Sequence, residues 1–395
     1  TTSGAVTITG NPRLDGKVWD NTGTLEISGS GQLDFTNTAT LNNQSEATLL
    51  LSGTSSQPLD YYGSNNNVFN NYGTLRKTST ADQTLNIYGS VNNYGIFDLG
   101  MNTNMLRLVN SGTHTGTFSL GSGSILSFDG GTHVWDRTGS SFSGLGEVRL
   151  ASGTIDVNKA QTLAAGGPSL NVTGSTVAGA GNLVLDNTVI LAGGWFGGAG
   201  TLSTSGAVTI TGNPRLDGKV WDNTGALEIS GTGQLDFRNS ATLNNKAVGT
   251  LLLSGTNSQP LDYYNVSGNV FNNYGTLSKT TATNQSLNLS SSGSINNQGT
   301  FSLGANTGTL SVEGSFSTPG AIEIASGVTF QKSGGFTNAG TIGGTGTVDV
   351  GANNTLTNTG TMRPGATSGD TTGTLSITGN LNNSGNVNIE LEGTS

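Results

Sequence analysis

The chain has 395 residues, a formal net charge of −9, no cysteine and 63 glycines. No cluster of Lys and Arg exists to neutralise phosphates, which argues against nucleic acid as a partner. Disulfides and thiolate metal sites are excluded, and no stretch approaches the roughly 18 consecutive apolar residues of a membrane helix. Apolar residues make up 32% and charged residues 10% of the chain. Such a chain is too poor in large side chains for one thick core, yet too low in charge to be disordered. A thin core repeated many times fits both facts.

Taken in order, the segments alternate. AVTITG (5–10), TLEISG (24–29), QLDF (32–35), TLNIYG (84–89), SLNVTG (169–174) and TLSITG (374–379) each place apolar residues two apart, and most end in Gly. A period of two predicts strands with one buried face. Helical spacing is nearly absent, and Gly, Asn, Thr and Ser disfavour helix throughout. Between the strands an Asn-x-Gly motif recurs. With the related Asn-Asn pairs that lack the Gly, at Asn43 and Asn245, it places asparagines at Asn21, Asn43, Asn71, Asn93, Asn223, Asn245, Asn273, Asn297, Asn338, Asn358 and Asn383.

Steps of 20–28 residues between most of these asparagines are the period of a solenoid coil. At a larger scale, residues 3–23 return unchanged at 205–225, and 51 of the 60 residues from Ser3 to Tyr62 match those 202 positions later. The expected organisation is therefore two large solenoid repeats, 1–202 and 203–395. The expected fold is an all-β, right-handed parallel β-helix of 20–28 residues per coil. The asparagines are expected at its corners, where left-handed backbone angles are needed, with their amides stacked as a ladder. A sandwich is disfavoured because aromatics are only 6% of the chain, too few for its usual core.

Several stretches, GTHTGTFSLGSGSILSFDGGTHVW (112–135), FSGLGEVRLASGTIDV (142–157), GGAGTLSTSGAVTITG (197–212) and the Pro-Gly-containing segment 358–391, resemble the repetitive passenger regions of bacterial autotransporter-type and filamentous surface adhesins. The resemblance covers most of the chain but rests on low-complexity patterns. It implies export to the cell surface and a structural or adhesive role, for a segment of a longer chain. Alternatives are a filament subunit polymerising end to end and a glycan-binding or glycan-active β-helix. The expected partners are other copies of the chain or cell-surface and matrix glycans, with no membrane insertion in this segment and no cofactor.

Candidate contact residues are few. NPRLDGKVWDN (11–21, repeated at 213–223) puts Arg13, Asp15 and Lys17 on one parity, with Trp19 and its counterpart Trp221 as sugar-stacking candidates and Asp15 and Asp20 as an acid–base pair. Neighbouring exposed charges that offset one another explain the same residues without any site. PLDYY at 58–62 and 260–264 offers Tyr61, Tyr62, Tyr263 and Tyr264 within the 28-residue step, where extra length means a loop. GGWFGG (193–198) reads as a bend with Trp195 and Phe196 plugging the core. His114 and His133, the only histidines, are one coil apart and are poor metal ligands without nearby carboxylates. No catalytic or metal residue is expected.

Overall fold

The computed structural model describes residues 1–63, 66–139, 141–265, 268–365 and 372–390. Part of the Pro-Gly segment expected near 358–391 lies outside them. Every element among the described residues is a β-strand, short except for Ser124–Trp135 (12 residues) and Glu147–Val157 (11 residues), and no helix there is long and apolar enough to cross a membrane. The chain is a parallel β-solenoid of stacked coils with about 22 residues per turn. Its contacts define two units, Thr1–Val189 with Gly197–Gly200, and Ile190–Phe196 with Thr201–Ser395.

Three strands make one turn. In the first unit Ala5–Ile8, Arg13–Asp15 and Val18–Asn21 complete a coil, and Thr24–Ile27 then lies parallel to Ala5–Ile8, with Val6 beside Leu25 and Ile8 beside Ile27. The second unit repeats the pattern: Ala207–Ile210, Arg215–Asp217 and Val220–Asn223 are followed by Ala226–Ile229, parallel to Ala207–Ile210.

Period-two alternation turns each inward position into a column. Leu25, Leu49, Leu75, Phe97 and Phe118 stack in register and are wholly buried. Leu33, Leu59, Leu85 and Leu108 do the same on the second face. In the second unit Leu227, Leu251, Leu277, Phe301 and Ile322 form an equivalent column.

In many turns the third strand ends on a ladder asparagine, and all of these but Asn383 are buried too. Asn21 Nδ2 donates to Asn43 Oδ1 (2.8 Å), Asn43 to Asn71 (2.8 Å) and Asn71 to Asn93 (3.0 Å). In the second unit Asn223 donates to Asn245 (2.9 Å), Asn245 to Asn273 (2.8 Å) and Asn273 to Asn297 (2.9 Å). Further on, Asn338 donates to Asn358 (2.7 Å) and Asn358 to Asn383 (2.6 Å). Each of these amides also donates to the carbonyl that opens the next coil, as Asn43 does to Thr74 O (3.0 Å) and Asn71 to Ile96 O (3.0 Å). One side chain thus ties the end of one face to the start of the next, one coil on.

The backbone reason expected for these corners is not the one found. No ladder asparagine has positive φ; the left-handed non-glycine residues lie elsewhere, among them Asn37, Asn102 and Asn239. The asparagine is needed for its amide. The glycine two residues later is needed for room: a Cβ on Gly95 would overlap the Gly73 carbonyl oxygen, and one on Gly116 the Gly95 carbonyl. The Asn-x-Gly motif is therefore a buried hydrogen-bonding column beside a column without side chains.

Asn71→Leu removes the acceptor of Asn43 and the three bonds that Asn71 Nδ2 donates, to Gly73 O, Asn93 Oδ1 and Ile96 O, inside a packed wall, and stranded buried polar groups cost about 1–3 kcal/mol each. Thermal denaturation is expected to show a large loss for Asn71→Leu and for Gly95→Ala. Gly10→Ala, where a Cβ meets nothing within 4 Å, is expected to be nearly silent. Equal melting temperatures for Gly95→Ala and Gly10→Ala would refute the close-approach account.

Candidate functional site

The two PLDYY segments form strands Leu59–Tyr61 and Leu261–Tyr263 on the second face. Tyr61, Tyr62 and Tyr264 are exposed and Tyr263 is half-buried. The Arg13 guanidinium lies 3.5 Å above the Tyr62 ring, and Tyr61 stacks on Tyr88 at 5.1 Å between centroids. In the second unit Arg215 lies 4.0 Å above Tyr264 and 5.0 Å above Trp195, with Arg238 over both rings at 5.7 and 5.4 Å. These arginines use the aromatic faces through cation–π attraction. Of the GGWFGG pair, Phe196 is the core plug and Trp195 joins this half-exposed cluster.

Trp19 and Trp221 are not surface platforms. Trp221 is fully buried, in register with Leu243, and its Nε1 donates to Thr204 Oγ1 at 2.9 Å. Trp19 occupies the same place beside Leu41, half-buried, with Nε1 on Thr2 Oγ1 at 3.0 Å. The turn at Gly16, where φ is +54°, breaks the parity that placed Trp19 beside Arg13 and Asp15. The charged trio Arg13, Asp15 and Lys17 is exposed, as expected, whereas in the second copy Arg215 and Asp217 are half-buried and Lys219, the counterpart of Lys17, is buried, which lowers it to about 8. Asp15 and Asp20 lie on different faces. Asp15 accepts from Asn37 at 2.6 Å. Asp20 accepts from Asn42 (2.8 Å) and Gln44 (2.9 Å), and these bonds hold it below the usual carboxylate value.

A carboxylate column on the second face escaped the sequence reading. Asp34 and Asp60 lie in register one coil apart, bridged by Gln32 Nε2 at 2.5 and 3.3 Å. Asp236 and Asp262 repeat this with Gln234 at 2.6 and 3.3 Å, and Arg215 Nε lies 3.3 Å from Asp236. Burial raises Asp60, with the Asp34 charge adding to it, and raises Asp262 beside Asp236 and Glu313. The available signal was the shared Leu-Asp-aromatic triplet of QLDF and PLDYY, spaced by one coil.

Two further groups lie inside. Lys77 and Lys279 stand in leucine columns and are wholly buried. Lys77 Nζ donates to the carbonyls of Ser79 (2.6 Å), Ala81 (2.8 Å) and Thr103, and Lys279 Nζ to those of Thr281 (2.6 Å) and Thr307. Burial brings each to about 8, so both still carry a proton at neutral pH.

His114 takes the ladder place after Asn93 and meets His133, Nε2 to Nδ1, at 3.0 Å among Phe118 and Phe128. Among the described residues no group of three His, Asp or Glu is poised for a metal. No protein-family profile, curated protein or solved structure matches the chain.

Burial holds His114 well below the ordinary imidazole value, with His133 adding to it, and brings His133 down to about 4. The unfolded chain protonates both near pH 6.5 and so binds more protons than the fold below that value. Stability is then complete above about pH 6.5 and falls as the pH drops toward 4, by at most about 1.4 kcal/mol per pH unit for each histidine. The raised Asp60 and Asp262 act in the opposite sense. Denaturant titrations between about pH 7 and 5 are expected to show this loss in the wild type and a flatter profile in the His114→Leu/His133→Leu double variant. Equal slopes would mean the imidazoles are not held neutral in the fold.

Proposed function

We propose that the chain is a non-enzymatic structural and adhesive element of a bacterial cell surface, an extracellular solenoid rod that carries or links binding surfaces. The observation behind this reading is the coil-on-coil bonding in each unit, where strand pairing and buried amide ladders tie every turn to its neighbours. A load along such a stack is shared among parallel bonds in each coil. The exposed tyrosines supply contact surface without a convergent set of reacting groups, which fits adhesion better than turnover. The resemblance to surface adhesins agrees with that division of labour.

Protease shaving and antibody labelling of intact producing cells test the location, and an exposed chain is expected. Single-molecule force spectroscopy tests the mechanics. Unfolding is expected in steps near one coil, roughly 75 Å of contour for about 22 residues at about 3.4 Å each, with weaker steps in Asn71→Leu. A protein found only inside cells, or one that yields without measurable force, would reject the proposal.

A further inference from the structure

The two copies of the repeat differ at one place on the second face in a way that opens a groove. In the first copy Tyr88 stacks on one face of Tyr61. In the second copy Ser290 stands at the equivalent position, two residues after Asn288 as Tyr88 is two after Asn86, with the same left-handed backbone (φ 52° at Tyr88, 77° at Ser290).

The next coil changes as well. Leu85 pairs with Leu108 and Leu287 with Val312, so Glu313 and Gly314 take the places of Val109 and Asn110. Asn110 closes the first copy by accepting the Ile87 amide at 2.8 Å; Gly314 has no side chain with which to do so.

The space left is a cavity of about 500 Å³ lined by Tyr263, Asn288, Ser290, Ser291, Glu313 and Gly314. It adjoins a second of about 330 Å³ that shares Glu313 and Gly314 and runs on to Gln331 and Lys332. The lining is one aromatic ring and many hydrogen-bonding groups. Asn288 Oδ1 is taken by the Ser290 amide (3.1 Å), while its Nδ2 donates to no acceptor among the described residues. Glu313 is exposed, with Oε1 accepting from Ser286 at 2.9 Å. An open trough with a half-buried tyrosine ring on its wall, an amide donor and a carboxylate acceptor matches a pyranose: an apolar face for the ring and hydroxyls for the polar groups.

The geometry points to a saccharide-binding groove in the second copy only, taking a neutral oligosaccharide of hexopyranose units. Tyr263 stacks on one sugar ring. Asn288 and Glu313 hold its hydroxyls, and the chain runs toward Gln331 and Lys332. The Glu313 carboxylate and the net charge of −9 disfavour an acidic glycan. The site does not depend on the surface-rod reading.

The test is calorimetric titration of the full chain with cellohexaose, maltohexaose and chitohexaose, and with oligogalacturonate as the acidic comparison. At least one neutral oligosaccharide is expected to bind. Ser290→Tyr, which rebuilds the ring stack of the first copy, and Tyr263→Ala are each expected to weaken it by roughly tenfold or more, whereas Tyr61→Ala in the first copy leaves it unchanged. Glu313→Ala decides the matter should Ser290→Tyr fail to fold by circular dichroism. The proposal is overturned if none of the neutral oligosaccharides binds, if oligogalacturonate alone binds, or if the groove variants bind as the wild type does.

Discussion

Parallel coils stack at the strand spacing, about 4.8 Å, so every residue lies on its counterpart one turn away. Each inward or outward position must therefore tolerate a near copy of itself at that distance. Leucine does, because apolar surface is indifferent to direction. Glycine does, and here it must, because the chain at Gly73, Gly95 and Gly116 passes too close for a Cβ. Asparagine does best among polar residues, since its amide carries both donor and acceptor and can bond to a copy of itself without a net charge. Composition follows from the constraint: abundant Gly and Asn and few charges.

Charges are admitted only where something breaks the repetition. Stacked aspartates on the second face need Gln32 or Gln234 between them. The outer asparagine row shows a second solution. Asn42 donates to Asp20, Asn70 to Asn42 and Asn92 to Asn70, so its amides point back along the chain and end on a carboxylate. The inner row, Asn21 to Asn93, points forward. Two neighbouring amide rows of opposite direction cancel much of each other's dipole, and the carboxylate receives the one end that would lack an acceptor.

The sequence carried the coil period, the strands and the amide ladder because like-on-like stacking writes itself as a repeat. It carried less about what lies between strands. Trp19 and Trp221 read as outward because parity was continued across a turn that breaks it at Gly16. Lys77 follows the inward parity of Leu75, but a lysine among leucines reads as surface unless one knows that carbonyls of the widened turn wait for it. The histidine contact was legible from spacing alone, while the groove was not: it exists through Ser290 and Gly314, two small residues in different coils whose meaning lies in the side chains they lack.

A solenoid can acquire a site locally. Neighbours across coils are a whole turn apart in sequence, from Thr329 with Thr347 to Thr347 with Ser376, and each position touches mainly the turn above and below. A substitution on an outer face therefore disturbs little beyond its own trough, and stability in such arrays is mostly nearest-neighbour. The inner wall keeps nearly the same residues in both copies; Leu25, Leu49 and Leu75 become Leu227, Leu251 and Leu277. The outer face has exchanged Tyr88 for Ser290 and Val109 for Glu313, while the column beneath stays apolar, Leu85 and Leu108 becoming Leu287 and Val312. Duplication supplies a second surface on the same scaffold. Because the ladder and the glycine column bear the structural constraint, that surface is left open to chemical change.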